Sequence, residues 1–319
     1  MRSHAKLRAG VIGAGAFGRL HAQKYASQPG VDLVGVADAH EERARAVAAP
    51  MGITMFADYR FMLPHLDVVT IATPAASHGE IGAECLARGI HVLMEKPIAA
   101  TLAEADHLIA LAAARSLVLH TGHQERFVMR HMGLFAGGMT PLSIECHRAA
   151  PFNPRNTDVS VVLDLMIHDL DLMHQLNPAK VAQVKAEQRS LPQSRSDEVA
   201  VEIRLADGMS AKLFASRMAD ARKRFMRIVY PDGEIYIDFL TRDTTNTTPR
   251  ALNALGTASV VGDMPCPSTD PLGHSVAQFL DAARTKREPA IKPQEARRAL
   301  ETALSILTAA KEKTPAYAS

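Results

Sequence analysis

What the sequence lacks narrows it before any motif is read. No window approaches the roughly 18 apolar residues that a membrane-spanning helix needs, so no membrane partner is expected. Cysteine is scarce. Cys85, Cys146 and Cys266 lie far apart, none in a Cys-x-x-Cys pair, and the odd count speaks against a disulfide framework. Three inert thiols in a reducing cytoplasm are expected. Excess charge is also small: 36 Lys and Arg against 34 Asp and Glu leave +2, too little to suggest nucleic acid or anionic lipid as partner. The stretch Met1–Gly10 is basic but has no long apolar core and no cleavage site, so no secretory leader is expected. Histidine is plentiful at 14, yet His120, His123 and His131 show no ligand spacing and no Cys/His cluster appears; no metal is expected.

What is present fits a globular enzyme. A chain of 319 residues, 47% hydrophobic and 22% charged, is long enough for two domains with sizeable cores. In the first third, short β-branched runs at 7–12, 31–37, 67–72, 90–94 and 117–121 alternate with stretches rich in Ala, Glu and Arg. That alternation predicts an α/β domain with a doubly wound parallel sheet of about six strands, spanning 1–122. After Gly122 the rhythm changes. An apolar helix over 160–175 is followed by strand-like runs at 181–189, 198–205, 210–216, 227–230 and 234–239, with Asp207-Gly208 and Asp232-Gly233 marking hairpins. A second domain over 123–319 is expected, built on a mostly antiparallel sheet and closed by helices at 271–285 and 293–311, the last packing back on the first domain. The Thr-, Pro- and Gly-rich stretch 241–270 reads as a long loop.

Gly13-Ala14-Gly15-Ala16-Phe17-Gly18 follows the first strand and opens a helix, the context in which G-x-G-x-x-G gains meaning. Gly13 would permit the tight turn, Gly15 the approach of a pyrophosphate, and Gly18 the packing of helix on strand. The free N–H groups of that helix, at Ala16 and Phe17, would face the diphosphate. Asp38 ends the second strand. Its carboxylate would bind ribose hydroxyls and repel a 2′-phosphate, favouring NAD over NADP. Thr73, Pro74 and His78 follow the fourth strand at the carboxyl edge of the sheet, where they are expected beside the cofactor.

Glu95-Lys96-Pro97 follows the buried-looking run Gly-Ile-His-Val-Leu-Met, which aims Lys96 into the ligand crevice with its backbone restrained by the proline. Asp164 and His168 lie four residues apart on an apolar helix and therefore share a face. Buried ionisable groups need partners or a task, and a satisfied core histidine is as compatible with this pattern as a base. Asp169 and Asp171 fall on other faces of that helix, where solvent or interdomain roles are expected.

In this order, the Gly-rich turn, Ala-Thr-Pro…Ser-His, Glu-Lys-Pro, Gly-His-Gln-Glu-Arg-Phe (122–127), Asp-Leu-Met-Ile-His-Asp-Leu-Asp (164–171) and the two-helix tail resemble the Gfo/Idh/MocA oxidoreductases, the glucose-fructose oxidoreductase and inositol dehydrogenase family, over nearly the whole chain. The resemblance implies a dehydrogenase acting on CH–OH groups, with Lys96, Asp164 and His168 catalytic and Glu95 beside the cofactor. It implies a sugar or nucleotide-sugar substrate, and the segments 122–127 and 155–172 are similar to members that oxidise the 3-hydroxyl of UDP-N-acetylglucosamine. It also implies an open-faced sheet used for homo-dimer or homo-tetramer contacts. Arg126, Arg148 and Arg155 are candidate diphosphate ligands, since guanidinium matches phosphate bidentately.

Two other readings share the scaffold. One is an enzyme that retains NAD and uses it transiently for glycoside hydrolysis or epimerisation. The other is a non-catalytic dinucleotide sensor, disfavoured because Lys96, Asp164 and His168 are all present.

Overall fold

The computed structural model describes residues 6–135, 139–152, 159–190, 197–253, 258–261, 264–267 and 270–312. The chain forms two compact units, Met1–Gln124 with Asp270–Arg297 and Glu125–Thr269 with Arg298–Ser319. The division after Gln124 falls where the sequence rhythm changes, but the expected continuous second domain is corrected. The segment Asp270–Arg297 belongs to the first unit.

The first unit runs β1 (Leu7–Ile12), α1 (Ala16–Ser27), β2 (Val31–Ala37), α2 (Glu41–Ala48), β3 (Thr54–Phe56), β4 (Val68–Ile71), α3 (His78–Ala87), β5 (His91–Met94), α4 (Leu102–Ala114) and β6 (Leu119–Thr121). The six strands pair in parallel in the order β3-β2-β1-β4-β5-β6. A parallel sheet is covered on both faces, so its strands are apolar throughout. The Val-Val-Thr-Ile run of β4 is buried at every position. Helices start where capping chemistry allows: Thr101 accepts from the Glu104 N–H while the Glu104 carboxylate accepts from the Thr101 N–H, a closed capping box on α4. Strand order reverses between β1 and β4, and ligands bind such sheets at the carboxyl ends beside that point.

The second unit runs α5 (Glu125–His131), β7 (Ser143–Ala149), a π-helical turn (Val162–Met166) continuing into α6 (Ile167–Leu176), then β8 (Val181–Arg189), β9 (Glu198–Leu205), β10 (Ser210–Ser216), β11 (Lys223–Tyr230), β12 (Gly233–Asp238), β13 (Thr244–Asn246), β14 (Ala258–Val261) and β15 (Met264–Pro267). Seven strands form one sheet in the order β13-β12-β11-β7-β10-β9-β8, antiparallel except between β7 and β10. Alternation sets its faces: Val199, Val201, Ile203 and Leu205 of β9 turn inward, while Ala200, Glu202 and Arg204 turn to solvent. The stretch 241–270 is not the structureless loop expected from its composition. It adds β13 to the sheet edge and pairs β14 with β15, strands of three and four residues too short to show a period.

Two helices end the chain, α7 (Pro271–Thr285) and α8 (Pro293–Glu312). α7 packs on the parallel-sheet unit, where Leu272, Val276, Phe279 and Leu280 join a core with Tyr25, Val11 and Leu93, and the first residues of α8 belong to the same unit, Arg297 pairing with Asp106 of α4. From α8, Ala303, Ile306 and Ala310 join α5, α6 and the seven-stranded sheet in the other core. Among the described residues no helix is long and apolar enough to cross a membrane.

Candidate active site

At the carboxyl end of β1 the chain turns through Gly13, whose φ of +97° suits glycine. A Cβ there would lie 2.6 Å from the Ala72 carbonyl oxygen, in the loop after β4. Gly18 packs tighter still, for a Cβ would fall 1.7 Å from the Gly13 carbonyl oxygen. Gly15 is the opposite case: a Cβ there would meet nothing within 4 Å. The middle glycine leaves a cradle, while its neighbours close the turn. Gly15 caps α1 without a side-chain acceptor, and the first turn holds no acidic residue, so the N–H groups around Ala16 and Phe17 suit an anion.

Asp38 follows β2 beside this turn. Its Oδ2 accepts the Ala14 N–H at 2.7 Å and its Oδ1 accepts the His40 N–H at 2.8 Å. The carboxylate is thereby fixed next to the glycines, where an adenosine ribose would present its hydroxyls. Open cradle, uncapped helix start and fixed carboxylate together fit NAD.

After β4, Thr73 and Pro74 form the next edge of this region. His78 opens α3 but is only 1% exposed. Its Nδ1 lies 2.8 Å from the Pro97 carbonyl oxygen and its Nε2 2.9 Å from that of Thr73. Burial lowers its pKa from the ordinary histidine value. The ring thus ties the Thr73 loop to the turn after β5.

That turn carries Glu95, Lys96 and Pro97. Lys96 is half-buried, whereas Glu95 is buried and faces inward. Glu95 Oε1 accepts from His21 Nε2 at 2.7 Å and from Gln124 Nε2 at 3.2 Å, and Oε2 accepts the Lys96 N–H at 3.3 Å. Burial alone would raise the Glu95 pKa; the His21 hydrogen bond, the His21 ring beside it and Lys96 outweigh it and hold the carboxyl below its ordinary value. His21 and Gln124 were not singled out by sequence. The one available signal was a histidine three residues after Gly18 on the apolar face that also carries Ala22 and Tyr25.

The second unit holds the other candidates. Asp164 lies inside the π-helical turn and His168 just beyond it, both half-buried among the buried side chains of Val161, Val162, Met166 and Ile167. A π-helical turn widens the backbone locally and is frequent where side chains must be re-aimed at a site.

The roles expected for the neighbouring charges are corrected. Asp169 and Asp171 are 2% and 1% exposed, not solvent-facing. Asp171 pairs with Arg126, whose Nε donates at 2.6 Å, and Asp169 pairs with Arg148 at 3.0 and 2.5 Å. Arg148 also donates to Glu125 at 3.0 and 2.7 Å, and Arg224 pairs with Glu125. The guanidinium groups anticipated as diphosphate ligands are instead neutralised within their own unit, where they anchor α6 to α5 and β7. Arg155 lies outside the described residues. Among the described residues, no group of three or more His, Cys, Asp or Glu side chains could hold a metal ion.

Comparison with known proteins places this geometry. Residues 7–123 match the profile of the GFO/IDH/MocA oxidoreductase family with its NAD-binding Rossmann fold, and residues 140–236 match the C-terminal domain of the same family. The chain is 35% identical over 306 residues to a UDP-N-acetylglucosamine 3-dehydrogenase of Acidithiobacillus ferrooxidans, covering 95% of this chain and 97% of that protein. An inositol 2-dehydrogenase of Rubrobacter xylanophilus is 32% identical, over 52% of this chain and 51% of the relative. A solved structure of the Acidithiobacillus ferrooxidans enzyme superposes with a TM-score of 0.86 at 34% identity, over 97% of this chain and 99% of that one. A scyllo-inositol dehydrogenase of Lactobacillus casei with bound NAD(H) and scyllo-inositol shares the fold, with a TM-score of 0.80 at 19% identity over 96% and 97% of the two chains. The chain belongs to the GFO/IDH/MocA oxidoreductase family and is an NAD-dependent dehydrogenase acting on CH–OH groups.

Proposed function

We propose that the protein oxidises the 3-hydroxyl of UDP-N-acetylglucosamine. One observation carries the choice of sugar: the likeness to a UDP-N-acetylglucosamine 3-dehydrogenase runs the length of both chains, while that to the inositol 2-dehydrogenase covers about half of each. Oxidising a secondary alcohol requires a proton to leave oxygen and a hydride to leave carbon. Bound NAD supplies the hydride acceptor.

The rest falls to this chain. Gly13, Gly15 and Gly18 seat the diphosphate, and Asp38 holds the adenosine ribose. His168 serves as general base, because an imidazole titrates near the working pH. Lys96 holds the reacting oxygen and stabilises the negative charge that develops there. Asp164 orients His168 or takes a neighbouring hydroxyl. In this reading the enzyme works in the cytoplasm as a homo-dimer or homo-tetramer. A row of stacked rings across the face of the seven-stranded sheet opposite its helices supports such an assembly: Phe214 on His147 at 4.6 Å, His147 on Phe225 at 5.6 Å and Phe225 on Tyr236 at 5.3 Å.

The test is a panel of UDP-sugars, free sugars and inositols with NAD, read at the NADH absorbance. NADH should accumulate with UDP-N-acetylglucosamine and not with N-acetylglucosamine or myo-inositol. Turnover of a free sugar or inositol alone would overturn the substrate. Product formation without net NADH would point to transient cofactor use. His168→Ala should bind NAD normally and lose turnover by about 10²-fold or more.

A further inference from the structure

Beneath Lys96 lies a buried polar chain that links the dinucleotide-binding helix to the catalytic turn. It starts at Tyr25, fully buried in α1, whose hydroxyl lies 2.8 Å from Thr70 Oγ1 on β4. Thr70 Oγ1 lies 3.4 Å from His21 Nδ1, and His21 Nε2 lies 2.7 Å from Glu95 Oε1. His21 and Thr70 are 0% exposed and Glu95 6%. Glu95 then accepts the Lys96 N–H. The carboxylate packs closely on Gly122, where a Cβ would stand 2.9 to 3.0 Å from its atoms. Residues 21 and 95 therefore bring α1, which opens at the Gly-rich turn, against the end of β5.

We propose that His21 is a positioning residue for Lys96, acting through Glu95: it keeps an ionised carboxylate locked beneath the lysine, fixing the Lys96 backbone and supplying the counter-charge for its ammonium. This rests on Lys96 as the group that holds the reacting oxygen. The physical case is the competition at Glu95. A carboxylate this deeply buried pays desolvation and tends to protonate, unless donors stabilise its charged form. The hydrogen bond from His21 contributes most to that stabilisation, and Lys96 adds to it. The ionisable groups around Glu95 are His21 and Tyr25 from α1, Lys96 beside it, and His78 from α3, which also feels Glu104 of α4. Burial holds Tyr25 well above the ordinary phenol range, so it stays neutral. Without the imidazole, desolvation should win, Glu95 should take up a proton nearer neutral pH, and Lys96 should lose its counter-charge.

The test compares pH profiles of kcat/KM for the enzyme with NAD and UDP-N-acetylglucosamine, or with whichever sugar the panel selects. His21→Leu should move the acid limb upward by about one pH unit or more, with the Kd for NAD kept. His21→Gln, which retains a donor, should return the limb part of the way. Glu95→Gln should remove that limb and lower turnover across the range. A loss of packing alone would lower activity evenly with pH and would not be rescued by glutamine. Should His21→Leu fail to fold, His21→Gln and Glu95→Gln carry the same comparison. A folded His21→Leu, or failing that a Glu95→Gln, whose profile superimposes on the wild type overturns the proposal. Lys96→Met separates the two levels. If it turns over normally, the reading of Lys96 fails and this proposal with it; if it is inactive while the profiles superimpose, only the role of His21 fails.

Discussion

Arg126 and Asp171 meet fork to fork inside the second unit: Nε donates to Oδ2 at 2.6 Å and Nη2 donates to Oδ1, with both side chains 1% exposed. Two buried charges are tolerated together and costly apart. Asp171→Ala should therefore lose about 3–5 kcal/mol of stability, because it removes the carboxylate that neutralises a buried guanidinium. The double replacement Arg126→Met with Asp171→Leu should recover most of that loss. Urea midpoints of the wild type and the two variants check it. Equal stability of the single and double variants would show that the pair does not hold α6 through charge.

The glycines of the turn separate folding from binding. Gly18→Ala would set a Cβ 1.7 Å from the Gly13 carbonyl oxygen, so the helix must move and the melting temperature should fall. Gly15→Ala meets no neighbour and should melt like the wild type. Its methyl instead enters the cradle, and NAD should bind at least about tenfold more weakly, a cost of about 1.4 kcal/mol. Melting curves with and without NAD check both halves. A Gly15→Ala variant with wild-type NAD affinity would remove the diphosphate from this turn.

The backbone-driven parts of the molecule were legible in the sequence. Gly13 and Gly18 are dictated by local geometry, and the Asp207-Gly208 and Asp232-Gly233 turns each join two antiparallel strands. Strands β1, β2, β8, β9 and β10 begin and end where their apolar patterns do. Partnerships made at long range were not legible. Asp169 and Asp171 look like surface charges until β7 brings Arg148 and α5 brings Arg126, and no periodicity encodes that pairing. Likewise His21 and Glu95 stand 74 positions apart and meet only because β1, β4 and β5 are neighbours. Short strands such as β3 and β13 carry too few residues for a period to emerge, so their pairing follows from the sheet they complete.

In the proposed reading Asp38 sets the choice of dinucleotide. Both its oxygens already accept backbone N–H groups, from Ala14 and His40, so the carboxylate is held in place before the ribose arrives. Asp38→Ser should lose about tenfold or more in kcat/KM with NAD, the worth of a charge-assisted hydrogen bond, and should gain with NADP as the repulsion disappears. The ratio of kcat/KM for the two cofactors is the quantity to measure. An unchanged ratio would mean that another group discriminates against the 2′-phosphate.

His174 makes the second unit sensitive to acid. The ring is 5% exposed and its Nε2 lies 2.8 Å from Thr302 Oγ1 of α8, so the neutral form is well housed. Burial, reinforced by the positive charge of Arg298, lowers its pKa to about 4 against 6.5 for the free side chain. Because the folded value is the lower one, the unfolded chain takes up a proton first as pH falls. The stabilisation is complete above about pH 6.5 and is lost progressively down to about pH 4, amounting to about 3 kcal/mol at most. His174→Gln should be less stable at pH 7 but should lose less on acidification through that window. Other groups titrate there too, so the comparison of slopes between wild type and variant isolates this one. Parallel slopes would mean that His174 protonates alike in the folded and unfolded chain, and that the acid sensitivity of this unit resides elsewhere.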